Sequence, residues 1–254
     1  MKNFITFILF VSSIVYGQIN SIKYEYQFTL DSLNMDLKIQ NMYLLIENNE
    51  SYFFGENKTL NQKPKLYLKD KNNVTINNPE KIRGQNYILH KNHNKILSYQ
   101  DYKVKKYKYE EEILFNWKLI NEKDFFLGYN VKKAETNFRG RKWIAWYTEE
   151  IPISNGPYKF YGLPGLILKI GDTSNTHQFL AVNFNNELVL QDDLKNYEPI
   201  SKNDFDIFLN KFNTNPDVFF KGDNEIIRSE EQQKLHESRI SQRNSKRNNP
   251  IELE

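Results

Sequence analysis

The chain has 254 residues, a formal net charge of +3 and no cysteine. That charge is too small to point to nucleic acid, and the missing thiols exclude disulfides, thiolate metal sites and cysteine nucleophiles. Sixteen tyrosines and eighteen phenylalanines favour strands, and the length suits one large β-rich domain that buries its own core.

Residues 1–17 read as an export signal. Lys2 supplies the positive start, Phe4 to Val15 a short apolar run, and Val15-Tyr-Gly17 a small-residue cleavage site. The run is too short for a comfortable membrane span. The expected mature domain covers residues 18–222. Tyr24, Tyr26, Phe28 and Leu30 alternate with polar residues, the pattern of a half-buried strand. Three hairpins follow: Leu37–Ile46 with Ser51–Phe54, Leu66–Leu68 with Val74–Ile76, and Tyr87–Leu89 with Ile96–Tyr99. Glu110 to Glu112 read as a solvated acidic face. Asn121 to Asp124 read as a turn before an extended stretch over Phe125–Asn137. Phe138-Arg139-Gly140-Arg141 is a basic hairpin turn able to grip a carboxylate or phosphate, or to hold its arginines in solvent or internal ion pairs.

Trp143 to Thr148 is the next strand, with Trp143, Ala145 and Tyr147 on one face and Ile144, Trp146 and Thr148 on the other. Prolines 152 and 157 break regular pairing after it. Leu163-Pro164-Gly165 fits a type II turn, and Leu166–Ile170 pairs with Gln178–Phe184 across Asp172–Asn175. Ser201 and Asp204 resemble a capping box ahead of Phe205, Phe208, Leu209 and Phe212 at helical spacing, which predicts a helix near 202–213, ended by Pro216. Residues 223–254 are highly charged and read as a helical or partly disordered arm. The expected fold is mainly β: a single curved antiparallel sheet or incomplete β-barrel with C-terminal helix or helices against it. A closed barrel is the alternative.

The hexapeptide Gly162-Leu163-Pro164-Gly165-Leu166-Ile167 resembles the signature of the GLPGLI family of envelope proteins from Bacteroidetes-type bacteria. Trp117-Lys-Leu-Ile, Gly128-Tyr, Phe138-Arg-Gly-Arg141, Ala145-Trp-Tyr-Thr148, Gly156-Pro-Tyr-Lys-Phe160 and the closing Asn248-Asn-Pro-Ile-Glu-Leu-Glu254 are similar to that family's pattern, in its order. Members often carry a cysteine where Val131 stands here, so this chain has no thiol role. The resemblance implies a periplasmic or envelope protein, secreted or outer-membrane associated, and supplies no mechanism.

Candidate chemistry is sparse. His90 and His93 straddle a hairpin rather than sharing a helix face, so no metal or cofactor is expected. No nucleophile elbow occurs, although His177 is available as a base to a serine such as Ser154. Adjacent Glu149 and Glu150 point to opposite faces of a strand, and the alternative reading is an envelope hydrolase in which one of them converges with Asp172 as an acid–base pair. The reading preferred here is a non-catalytic binding or carrier protein, taking a small molecule, lipid or peptide at Arg139, Arg141, Trp143, Trp146, Tyr147 and Tyr158. Partnership with an outer-membrane protein through the charged arm is a third reading. Nucleic acid is not expected, and membrane contact is peripheral at most. The turn at Gly162–Ile167 is expected to be structural, so Gly165→Val should lower stability while Arg141→Ala should be tolerated.

Overall fold

The computed structural model describes residues 20–33, 36–48, 50–58, 66–69, 75–77, 87–102, 105–185, 188–190, 192–215, 219 and 229–253. The export signal expected over residues 1–17 lies outside them. The described chain is mainly β, as the alternating pattern predicts. It forms strands β1 (Ser21–Thr29), β2 (Leu37–Glu47), β3 (Glu50–Gly55), β4 (Leu66–Lys69), β5 (Thr75–Asn77), β6 (Tyr87–Asn92), β7 (Lys95–Asp101), β8 (Lys106–Glu112), β9 (Lys118–Phe126), β10 (Tyr129–Phe138), β11 (Arg141–Thr148), β12 (Leu166–Asp172), β13 (His177–Asn185) and β14 (Glu198–Pro199). Two helices follow, α1 (Lys202–Thr214) and α2 (Glu230–Ser245).

All fourteen strands belong to one sheet, in the order β14-β8-β7-β6-β3-β2-β1-β13-β12-β11-β10-β9, with β4 and β5 attached beside β2. The sheet is antiparallel except where β14 runs parallel to β8. It is open, with β14 and β9 at its ends. The chain order forces it to curl. Ten strand steps separate β8 from β9. In a flat sheet that is ~48 Å. Yet only Ile113–Trp117 joins the two strands, a link that reaches no more than ~20 Å. The curl brings the Arg139 guanidinium, at the β10–β11 turn, within 2.7 Å of Glu111 on β8.

The hollow of this curl holds the main core. Tyr24 and Tyr26 of β1, Phe53 of β3, Trp143 of β11 and Phe179 of β13 face into it. The long β11–β12 connection fills what remains. Its Phe160 ring lies 4.8 Å from Trp143, and its backbone is tied to the walls by Lys91 Nζ to Gly156 O at 2.6 Å and Asn155 Nδ2 to Ser51 Oγ at 2.8 Å. Prolines 152 and 157 therefore keep this stretch out of the ladder and inside the sheet.

The outer face is treated differently on the two sides. Over β2, β3, β6 and β7 it is covered by Leu188, Leu190, Leu194 and Tyr197 packed on Phe54, Ile88 and Tyr99. Over β8 helix α1 packs instead on the inner face, its Phe205, Phe208 and Phe212 against Tyr102, Tyr107 and Tyr109, the last two on the same side of the strand as Glu111. Ser201 caps α1 by accepting from the Asp204 N–H, while the Asp204 carboxylate accepts from the Ser201 hydroxyl. The helix runs Lys202–Thr214, one residue past the expected end.

Three local expectations are corrected. Asn121–Asp124 is not a turn: β9 runs through it, with Asn121 and Glu122 left unpaired in a bulge opposite Lys132 and Lys133. The turn is Leu127-Gly128, both at positive φ, which is the hairpin geometry matching strand twist. Glu110–Glu112 is not one solvated face, because strand alternation turns Glu111 inward while Glu110 and Glu112 stay exposed. Leu163–Leu166 is not a type II turn. The Gly165 N–H reaches Leu163 O at 2.8 Å, and the Leu166 N–H goes to Ile151 O at 3.0 Å, so the corner is a tighter three-residue turn centred on Pro164.

Candidate functional site

Two hairpin ends and the plug converge at one mouth of the curled sheet, where the C-terminal tail lies across them. At the β10–β11 turn, Arg139 and Gly140 both take positive φ, so the two arginines point to the same rim. Arg139 donates to Glu111 at 2.7 Å and its Nε lies 3.8 Å from Glu252. Arg141 is buried. It donates to Asp172 at 2.7 Å and Thr176 at 3.1 Å, and to Asn249 Oδ1 and Pro250 O at 2.6 Å each. Asp172 is held in place by the N–H groups of Thr176 and His177 at 2.7 and 2.9 Å.

The plug contributes the second half. Lys159, almost wholly buried, reaches Glu111 at 2.5 Å and Glu252 at 2.7 Å. The Tyr158 hydroxyl donates to the same Glu252 carboxylate. Burial alone raises the Glu252 carboxyl, but Lys159, Tyr158 and Arg139 together hold it below the ordinary carboxylate value. Burial and the Glu252 charge push the Tyr158 phenol well up, so it stays a donor.

Beneath the tail, Tyr26 Oη and His177 Nδ1 are 2.7 Å apart. His177 is pushed down to about 4, first by burial and then by Arg141, against Asp172 and the backbone carbonyls of Asn249 and Pro250. It is therefore a neutral imidazole. Four buried polar atoms at this mouth have no hydrogen-bond partner: Tyr87 Oη, Arg139 Nε, Arg141 Nε and His177 Nε2.

The tail is the occupant. Asn249 donates to Thr29 O at 2.8 Å, its N–H goes to Leu30 O at 3.1 Å, and the Leu253 N–H goes to Arg139 O at 3.1 Å. Composition marked this tail as part of a charged arm. Its seating is a long-range effect of the curl, signalled in the sequence by the closing Asn248–Glu254 motif and by Pro250, which disfavours helix at the residue before it.

Of the residues singled out from sequence, Arg139, Arg141 and Tyr158 meet here. Trp143 lies fully buried behind them against Phe160, with its Nε1 donating to Phe138 O at 3.2 Å. Tyr147 is buried further along the same face. Trp146 is on the outer face, half-buried, with Lys133 Nζ 5.7 Å from its ring. Lys159, Glu111, Glu252, Asn249, His177 and Tyr26 complete the site. Lys159 was legible only as part of a Gly-Pro-Tyr-Lys-Phe run, and Glu111 was masked by its acidic neighbours.

The other candidates are held apart. Glu149 and Glu150 sit beyond Thr148, paired to Lys132 at 2.7 Å and accepting from the Asn130 N–H at 2.9 Å. Asp172 pairs across the sheet with Trp143, at the other end of β11, so the three carboxylates do not converge. His90 stacks on Tyr52 and contacts Glu50 at 2.7 Å, while His93 occupies the turn. At the hexapeptide, Gly162 takes φ +94°, and Leu163, Leu166 and Ile167 are buried. A Cβ at Gly165 would lie 2.7 Å from the Thr148 carbonyl carbon, with the oxygen closer still. The hexapeptide is thus a close backbone crossing over the end of β11.

Residues 87–169 of this chain are similar to a family described as a protein of unknown function (Porph_ging). That stretch holds the arginine turn, β11, the plug and the hexapeptide. Among solved structures, PNGF-II in the P21 space group is similar with a TM-score of 0.50 and 18% identity, over 76% of this chain and 33% of that one. PNGF-II in the C2 space group gives a TM-score of 0.49 and 18% identity, over 75% and 33%. The chain spans about a third of PNGF-II, and at this identity the likeness is one of fold. No curated protein matches the chain.

Proposed function

We propose that this is an exported cell-envelope protein of the GLPGLI type that binds a carboxylate-bearing ligand without transforming it. The observation that carries the reading is the Glu252 carboxylate, buried between Lys159 at 2.7 Å, the Tyr158 hydroxyl and Arg139. A carboxylate between two cations and a phenol is a recognition geometry. Both cations and the phenol face that carboxylate as donors, an arrangement suited to holding it. An incoming ligand carboxylate takes the place of Glu252, so binding releases the tail. The signal-like residues 1–17 and the hexapeptide at 162–167 support export and the family reading.

Native mass spectrometry of protein isolated from the envelope fraction tests both parts. The expected result is a processed chain beginning near Gln18 that carries an acidic adduct, with the adduct lost in Arg139→Gln. An unprocessed, adduct-free chain confined to the cytosol would overturn the reading.

A further inference from the structure

We infer that the seat of residues 248–253 takes the same segment from a second copy of this chain, so that two copies exchange tails about a two-fold axis. The inference rests on the seat being a recognition site, and it names the partner.

The seat reads this segment by backbone and side chain alike. Leu30 O and Arg139 O accept from the N–H groups of Asn249 and Leu253. Arg141 holds Asn249 Oδ1 and Pro250 O, and Thr29 accepts from Asn249 Nδ2 through both its carbonyl and its hydroxyl. Lys159 and Tyr158 hold Glu252. A segment seated in this way draws affinity from its main-chain bonds and specificity from its side-chain seats. Pro250 stiffens the segment, which lowers the entropy lost on docking. The ligand defined by these contacts is therefore this chain's own sequence, and a second copy carries it intact.

The arm that delivers the tail suits exchange. Helix α2 buries no side chain along its sixteen residues and meets the end of α1 through Asn244 Nδ2 to Asn213 O at 2.9 Å. With Leu235 half-exposed and no side chain fully buried, the helix is held to the body beneath it by few apolar contacts. Its length is ~24 Å, enough to carry the tail off its own body. Ser229 and Gln232 close a capping box at its start, so it stays a stiff rod. Exchange is isologous: each copy gives and receives the same contacts, and the pair closes. The tail in its own seat enjoys an effective concentration on the order of millimolar, so exchange grows with protein concentration.

The test mixes isotopically heavy and light parent chains at rising concentration. A zero-length carbodiimide then joins the Lys159 amine to the Glu252 carboxylate, and the conjugates are sorted by mass. The expected result is mixed-isotope Lys159–Glu252 conjugates rising toward parity with like-isotope ones, alongside a doubling of mass in light scattering. Only like-isotope conjugates up to the millimolar range would overturn the inference. So would a dimer that persists unchanged in Glu252→Gln, or a monomer at every concentration. An acidic adduct with like-isotope conjugates alone would remove tail exchange and leave the proposed function standing. Mixed conjugates without any adduct would do the reverse.

Discussion

The two halves of the sheet are stabilised by different means. From β1 to β8 most of the sheet lies between apolar layers: the inner face lies on the core, extended over β8 by the phenylalanines of α1, and the outer face lies under Tyr197 and its leucine neighbours. From β9 to β12 no such outer cover is present among the described residues. Instead this half relies on buried ion pairs and the tail at its mouth, and on a backbone crossing at Gly165 over the opposite end of β11. Apolar layers tolerate adjustment because their attraction is non-directional. Buried charges and close backbone contacts do not, since removing one partner strands the other. The second half should therefore be the more brittle, and sensitive to pH as well.

The sharpest test of that difference is Gly165→Val. The new side chain meets the Thr148 carbonyl, which β11 holds fixed. The expected result is a loss above about 4 kcal/mol, seen as little soluble protein. Arg141→Ala comes next. The sequence reading took this arginine as dispensable to the fold, but the curl buries it against Asp172. Stranding that carboxylate should destabilise by about 3–5 kcal/mol in a denaturant melt. An Arg141→Ala chain that melts like the parent would erase the contrast between the halves.

Phe208→Ala probes the other side. It removes the centre of the α1 layer and should destabilise by about 3 kcal/mol. Its effect should be the same at pH 5 and pH 7, whereas the effect of Arg141→Ala should differ, as melts at both values would establish. The smallest expected effect is the titration of His177. Its folded value is about 4 against 6.5 unfolded. Between those values the unfolded chain takes up a proton that the folded chain refuses, so stability falls as pH is lowered. The full loss is on the order of 3 kcal/mol, complete only below about pH 4. Glu252, held below its ordinary value, adds a loss at still lower pH. His177→Gln should flatten the slope between pH 6.5 and 4, and an unchanged slope would place the titration elsewhere.

Strand content, the hairpin order and helix α1 were legible because each depends on residues near in sequence. Tyr24, Tyr26 and Phe28 alternate whatever lies above them, and Phe205, Phe208 and Phe212 share one helix face by spacing alone. The misread places are those where a partner distant in sequence decides. Polar Asn121–Asp124 suggested a turn, yet pairing with β10 absorbs it as a bulge. The run Glu110–Glu112 looked uniformly solvated until Lys159, some fifty residues on, claimed Glu111. The arginine turn was found, but not which arginine would be buried.

The sequence by itself determined a β-rich chain without thiol chemistry, the rhythm of its hairpins, the cap of α1 and a rigid proline–glycine corner. Those follow from side-chain period, backbone preference and composition. A curved sheet was expected from the sequence, but only the tertiary structure decided how tightly it curls, because a five-residue link must join strands far apart in sheet order. The curl in turn brings Glu111, Arg139, Lys159 and Glu252 to one mouth. A buried charge needs a partner within a few ångströms, and which one it finds depends on where folding places residues from every part of the chain.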